Sequence, residues 1–215
     1  MRSFFSKYLN DDFKLDVWQI IGIFCLVFVI SGIFGWIYEF LFYYFNGGME
    51  KFYWRGGNFL PWINIYAYGS FLIFLFSFKF RKNPFLVFII SFIITGLLEY
   101  FSGLVIYEFF GLRFWDYNTE ILNFGNIGGF VCLRSVSFFG LSSLFLMYVI
   151  IPICICLSRN IDKNKFLIFS ILIFSIFLFD ELYNLIFSRL LELPRARDFY
   201  ELLGFNFMNY RWFIS

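Results

Sequence analysis

Apolar residues run through this chain in long blocks, and the ionisable residues mark where the blocks stop. A helix needs about 20 apolar residues to cross a bilayer. The blocks therefore predict spans at Val17 to Tyr38, Phe59 to Phe78, Pro84 to Tyr107, Ser135 to Ser158 and Phe166 to Ser188. The first ends at Glu39 and follows Arg2, Lys7 and Lys14, a basic flank like that of a signal peptide; its apolar run is too long and no small-residue cleavage site follows, so an uncleaved anchor is expected. Pro61 and Asn64 break the second block early and put the start of its helix near Asn64 or Tyr66. Glu99 interrupts the third, and Asp180 and Glu181 interrupt the fifth. The fourth helix is expected to begin a turn before its block, near Phe130. The expected fold is all-α: a polytopic bundle of about five transmembrane helices forming a single domain over 1–190, with 191–215 as a tail that can lie at the interface.

Lysines and arginines of the short loops set the orientation. Arg2, Lys7 and Lys14 precede the first span, Lys79, Arg81 and Lys82 follow the second, and Arg159, Lys163 and Lys165 follow the fourth. The loops of the opposite side carry Lys51, Arg55 and Arg113. The N-terminus is therefore expected in the cytoplasm. Arg189, Arg195, Arg197 and Arg211 would then face outward, which leaves two readings of the chain's end: an interfacial tail, or a fifth segment that enters without crossing.

This topology gives the intramembrane charges a depth. Glu99 lies fifteen residues past Pro84 and Asp180 fourteen past Phe166, roughly 22 and 21 Å along their helices at about 1.5 Å per residue. With Glu39 at the outer end of the first span and Arg134 at that of the fourth, four helices bring ionisable groups to the outer third of the membrane. An isolated charge at such a depth costs at least about 2.5 to 3.5 kcal/mol, so these groups are expected to face the interior and find partners. Ser91, Thr95, Gly96, Glu99, Ser102 and Gly103 follow helical spacing along one face, a stripe that lets a neighbouring backbone come close. Gly32, Gly35 and Glu39 do the same on the first span, and Asp180, Asn184 and Ser188 on the fifth. One reading is helix packing with a structural ion pair from Arg134 to Glu99 or Asp180. The other is an outwardly open polar cavity, whose excess of acids favours a cationic or proton-coupled ligand.

Composition narrows the chemistry. The chain is 61% hydrophobic and 15% charged, with 38 phenylalanines in 215 residues; a soluble domain carries about 25% charged residues, so the lipid bilayer is the partner these numbers require. There is no histidine, which excludes imidazole acid–base chemistry, Ser-His-Asp triads and HExxH zinc hydrolysis. Cys25, Cys132, Cys154 and Cys156 all lie in apolar stretches; Cys154 and Cys156 stand on opposite sides of a helix, so packing outweighs a redox or metal pair. No metal site and no cofactor is expected. The net charge of +2 implies no nucleic-acid partner. No GxxxxGK[ST] loop occurs, so ATP-driven work would need a separate ATPase chain.

The two outward connections are rich in unusual residues. The first runs through Asn46, Gly47, Gly48, Trp54, Arg55, Gly56, Gly57, Asn58, Pro61 and Trp62; the second holds Gly111, Arg113, Trp115, Asp116, Tyr117, Asn123, Asn126, Gly128 and Gly129. Trp54 and Trp62 are divided between an interfacial belt and a site. Trp115-Asp116-Tyr117 sets an acid between two aromatics, which can bind a cation by charge and ring quadrupole together or cap the helix that follows.

Taken in order, several of these segments resemble the ABC-transporter permease group, type IV, the CmpB-like bacterial membrane proteins. They are Gly35-Trp36-Ile37-Tyr38-Glu39, Arg55-Gly56 leading to Ile65-Tyr66-Ala67-Tyr68-Gly69, Leu98-Glu99-Tyr100, Glu108 to Gly111, Arg113 to Tyr117, and Asn126 through Gly129 to Cys132-Leu133. The resemblance covers about residues 30 to 157. It departs where the family has Gly-Pro followed by Pro-Ile-Tyr-Gly and this chain has Leu60-Pro61 and Asn64-Ile65-Tyr66-Ala67. It departs again where the family has Gly-Arg-Ile-Cys-Leu and this chain has Gly129-Phe130-Val131-Cys132-Leu133, then Arg134. If the helix already includes Phe130, Arg134 lies one turn on along the same face and the cation is displaced rather than lost.

The resemblance implies a multi-pass protein of the bacterial cytoplasmic membrane and a transport role. The candidate solute-binding set is Glu39, Arg55, Glu99, Trp115, Asp116, Tyr117, Asn126, Arg134 and Asp180. Against the ABC part, the expected cytoplasmic loops Lys79 to Asn83 and Arg159 to Lys165 are too short for a coupling helix. An enzyme or lipid-headgroup binder using paired carboxylates as acid and base ranks lower, because nothing supplies a nucleophile or a metal set. A structural subunit of a membrane complex, its polar stripe packed on partner helices, is the third reading.

Overall fold

In the computed structural model, residues 7–10, 12–46 and 55–204 are described. Regular structure among them is helical, apart from one isolated antiparallel bridge between Ile127 and Val131. Four helices are long and apolar enough to span a bilayer: α1 (Val17–Asn46), α3 (Pro84–Phe110), α4 (Leu133–Asn160) and α5 (Lys163–Leu190). Between the first two lies the shorter apolar α2 (Asn64–Ser77), which runs on as a 3-10 turn to Phe80. A final short helix, α6, covers Ala196–Leu202. The five apolar blocks thus become five helices, and the short α6 forms within the tail. Most of Leu202 to Trp212, together with Trp54, Lys51 and Arg211, lies outside the described residues.

Helix ends depart from the apolar blocks for local reasons. α1 does not stop at Glu39 but continues to Asn46, because Arg55 takes up the Glu39 carboxylate on the way. Asn83 accepts from the backbone N–H groups of Phe85 and Leu86, and Pro84 follows at the first helical position, so α3 begins on the first residue of its block. Gly111, with a left-handed backbone (φ 63°), closes α3 by donating to the Tyr107 carbonyl. The expected start of the fourth helix near Phe130 is corrected to Leu133: Val131 is engaged in the bridge to Ile127, and helical backbone begins only after Cys132. Phe130 is therefore not one helical turn before Arg134, and the helical displacement of the family's cation does not apply.

The chain divides into two compact units; within the described residues one comprises 7–16 and 69–156, the other 17–68 and 157–204. In the first unit α3 and α4 run antiparallel. The carbon that a side chain would add at Gly96 meets Val136, and the one at Gly140 meets the Phe88 ring, so small residues let the two backbones close up. The face α3 buries is Val87, Ser91, Thr95, Glu99 and Gly103, a strict four-residue repeat. Residues 7–16 are held in the same unit by Arg81, whose Nε donates to the Tyr8 carbonyl at 2.7 Å while its guanidinium lies 4.7 Å from the Phe78 ring centroid. The Tyr8 hydroxyl donates to the Met147 carbonyl at 2.8 Å, inside a π-helical stretch of α4 over Leu146–Ile150.

In the second unit α1 and α5 run parallel, in register through edge-to-face rings: Trp18 with Phe166, Phe24 with Phe174, and Phe28 with Phe177. Here too a π-helical stretch, Tyr183–Phe187, marks where another segment docks. Asn184 Oδ1 accepts from the Ala196 backbone N–H at 2.8 Å, and the Tyr183 hydroxyl donates to the Pro194 carbonyl, fastening α6.

Candidate functional site

The structure groups Glu99, Trp115, Asp116, Tyr117, Asn126 and Arg134 in the first unit, and Glu39, Arg55 and Asp180 in the second. Each set is built differently.

In the first unit, Glu99 is 3% exposed in the middle of the buried stripe of α3. Its carboxyl oxygens lie 2.5 and 2.6 Å from Ser135 Oγ, on the first turn of α4, and Oε1 lies 2.8 Å from the Tyr117 hydroxyl. Tyr117 and Ser135 are themselves 2.9 Å apart. Burial first, and then the neighbouring Glu99 carboxyl, push the Tyr117 phenol well above its ordinary range, so it keeps its proton. Arg134, one residue before Ser135, pairs with Glu120 at 2.5 Å and lies 5.5 Å from the Tyr117 ring centroid. Glu120, from the loop, is thus a partner of this arginine that the apolar pattern does not single out.

The segment between α3 and α4 is tied into a compact loop that presents Tyr117. Asp116 Oδ1 accepts from the backbone N–H and the side-chain amide of Asn118, at 3.0 and 2.8 Å, and from Arg113 at 3.4 Å. The acid between two aromatics thus closes a turn rather than capping α4. Asn126 donates to Asn118 Oδ1 and accepts from the Gly129 N–H. Gly129 has a left-handed backbone (φ 81°) and no room for a side chain, which would overlap Arg113, Asp116 and Asn118; its carbonyl accepts from the Tyr117 N–H. The Trp115 indole donates to the Phe130 carbonyl at 2.8 Å, and Arg113 lies over both Tyr107 and Phe130, each 4.7 Å from the guanidinium carbon.

In the second unit, Asp180 is 4% exposed and accepts N–H groups on both oxygens. The backbone N–H of Phe59 donates to Oδ1 at 2.8 Å and that of Leu60 to Oδ2 at 2.9 Å; the Asn184 side-chain amide donates to Oδ1 at 2.8 Å. This explains how the second block can hold non-helical backbone before Asn64. Irregular backbone is tolerated against a spanning helix only where its polar groups find partners, and Asp180 supplies them. The adjacent Glu181 is equally buried and receives the Tyr68 hydroxyl at 2.9 Å. Glu39 pairs with Arg55, whose Nε and Nη2 reach one carboxylate oxygen at 2.9 and 2.7 Å; at 20% and 31% side-chain exposure this pair is wetter than that of Arg134 and Glu120.

Sequence reasoning passes over Ser135, Glu120, Tyr68 and Glu181 as site residues. Glu181 carries a signal, since it interrupts the same apolar run as Asp180. Ser135 and Glu120 carry none: a serine at a helix start and an acid in a loop are ordinary until the fold brings them to Glu99 and Arg134. Among the described residues no three Cys, Asp or Glu side chains come together as a metal-holding group.

Long apolar helices with carboxylates buried inside two of them define a multi-pass membrane protein. The chain belongs to the CmpB family, described as putative ABC-transporter type IV, whose model matches residues 26–185. No curated protein and no solved structure matches it.

Proposed function

We propose that this chain is the permease-type membrane subunit of a transport system in the bacterial cytoplasmic membrane, and that a small cationic solute is bound from the outer side at the Glu99 cluster. The observation that carries this reading is a carboxyl group inside a spanning helix that meets hydroxyls brought to it by a loop and a neighbouring helix. Hydroxyls can turn away from a carboxylate at small cost, whereas the loop that brings Tyr117 also brings Trp115, a second aromatic face for a cation. Arg134 and Glu120 flank the cluster, and Asp116 and Asn126 hold the loop in shape.

The energy source would be a separate ATPase. The connection between α4 and α5 is only Ile161 and Asp162, so the larger element on the expected cytoplasmic side is the N-terminal segment fastened by Arg81. Tetramethylammonium is a suitable probe, since it offers a charge without donors. Binding to the full chain in lipid nanodiscs should be saturable and fall at least about tenfold in Glu99→Gln, with Arg197→Ala, in an exposed pair, unchanged. Equal binding by the wild type and Glu99→Gln would sink the solute assignment. Purification from native membranes in mild detergent should bring an ATPase with it; its absence would count against the ABC arrangement.

A structural reading is favoured for Asp180 alone. Its donors at Phe59, Leu60 and Asn184 are all N–H groups, so its work is to hold the 59–60 backbone and Asn184.

A further inference from the structure

Residues 112–132 join the outer ends of α3 and α4, but they do not rise clear of the helices. Ser135 meets Glu99 and Phe130 meets Gly103, so Leu133, between them in the chain, stands level with Tyr100 and Phe101 of α3. The Leu133 N–H donates to the Phe124 carbonyl at 3.1 Å and holds the loop at that level. Lys82 and Asn83 precede α3, and Phe85 on its first turn is 69% exposed, so the hydrocarbon begins near Pro84. Tyr100 lies sixteen residues further on, roughly 24 Å at about 1.5 Å per residue, inside a core of about 30 Å. The outer edge of that core falls near Leu104, below the exposed Glu108. Phe124 is thus a loop residue at the depth of a lipid-facing one, Phe101.

The surface of the loop suits that depth. Its charged residues are Arg113, Asp116 and Glu120. Arg113 and Asp116 pair with each other and Glu120 pairs with Arg134, and these side chains are only 14 to 17% exposed. What the loop shows instead is Ile121, Leu122, Phe124 and Ile127, at 48, 60, 55 and 58% exposure. Leu122 takes a left-handed backbone (φ 54°), which glycine or asparagine adopts more readily, and still presents a large apolar side chain outward. In water that arrangement gains nothing, whereas in lipid it removes apolar surface from solvent. The N–H groups of Asn126, Ile127 and Phe130 donate to carbonyls of the loop itself, the pairing that irregular chain needs near hydrocarbon. We propose that the edge formed by Ile121, Leu122, Phe124 and Ile127 is seated in the outer leaflet of the bilayer, at the boundary of acyl chains and headgroups. The exposed Phe101 of α3 and Leu133 of α4 continue this apolar surface onto helices that lipid covers. Lipid therefore supports the loop that carries Tyr117 to Glu99, and this seat does not depend on the solute reading.

Nitroxide labels on the full chain in nanodiscs read this depth directly. Phe124→Cys and Ile127→Cys are made in a Cys156→Ser background, because the other three native cysteines are buried. Phe101→Cys serves as the lipid reference and Glu108→Cys as the aqueous one. Molecular oxygen, which concentrates in lipid, should relax the labels at 124 and 127 more than a water-soluble nickel chelate does, as at 101 and opposite to 108. Nickel relaxation as strong as at 108 would overturn the proposal by placing the edge in water. Labels immobilised and shielded from both reagents would overturn it equally, because a second copy or another protein would then cover the edge. The unaltered chain supplies a second measurement if a variant fails to fold. A photoactivatable phospholipid in the same nanodiscs should leave adducts on Ile121 to Ile127, in the tryptic peptide between Arg113 and Arg134. Adducts at Phe101 with none on that segment would count against the lipid seat.

Discussion

Asp180 and Glu99 are both carboxyl groups buried inside spanning helices, at 4% and 3% exposure, yet their surroundings differ in kind. Asp180 meets amide nitrogens: two from the backbone at Phe59 and Leu60, one from Asn184. Such groups donate and cannot accept, so the site is complete only around an acceptor on every side. Glu99 meets oxygens, from Tyr117 and Ser135, which can either donate or accept. The first arrangement fixes a segment of chain. The second tolerates a change of partner. Depth in the membrane, the property that draws both residues out of the sequence, does not distinguish them; the chemistry of the donor does.

The largest contrast should come from removing each carboxyl outright. Asp180→Ala removes the acceptor of the Phe59 and Leu60 backbone N–H groups, while the Asn184 amide keeps the Asp180 carbonyl; at about 1 to 3 kcal/mol per lost acceptor it is expected to lower unfolding stability in nanodiscs by about 2 to 4 kcal/mol. Glu99→Ala leaves two hydroxyls that can turn to each other, and should cost about half as much. Equal losses in a denaturant titration would remove the distinction.

The ion pairs carry the same contrast to smaller energies. A double-mutant cycle on Glu120 and Arg134, whose side chains are 15% and 14% exposed, should give a coupling of about 1 to 3 kcal/mol. The same cycle on the wetter Glu39 and Arg55 should give less than about 1 kcal/mol. Tyr117→Phe removes one bond to Glu99 and should cost about 1 kcal/mol, together with faster hydrogen exchange of the 112–132 backbone.

The smallest effect expected is on pH. Burial raises the Tyr8 phenol above its ordinary value, opposed by Arg81. The unfolded chain therefore loses this proton first as pH rises, and its contribution to stability, complete below about pH 10, declines above it. Tyr8→Phe should flatten that alkaline decline in an unfolding series; an unchanged slope would mean that Tyr8 is not its source.

What the sequence reveals beforehand follows from what each feature depends on. The five helices are readable because an apolar block must become a helix in lipid. The buried face of α3 is readable for a related reason, with Ser91, Thr95, Glu99 and Gly103 recurring every four residues. The partner of Arg134 is not. Glu120 sits in a loop whose path depends on the positive φ of Gly125, Gly128 and Gly129 and on the Asp116–Asn118–Asn126 bonds, which no periodicity reports. Likewise, Pro61 and Asn64 tell that the second helix starts late, but not that Asp180, more than a hundred residues away, receives the backbone before it. Long-range polar closure is where the one-dimensional pattern ends.

A matched neutralisation of the two carboxyls, Asp180→Asn and Glu99→Gln, followed by unfolding of each protein in the same nanodiscs, decides between a fixed clasp and an exchangeable site. The amide introduced by Asp180→Asn turns an N–H toward N–H donors, so that variant should lose about 2 to 3 kcal/mol. The amide introduced by Glu99→Gln meets hydroxyls that can turn to accept its N–H or donate to its carbonyl, so that variant should lose less than about 1 kcal/mol. Equal losses, or a greater loss in Glu99→Gln, would contradict the claim that the Asp180 carboxyl is the clasp and the Glu99 carboxyl the exchangeable one.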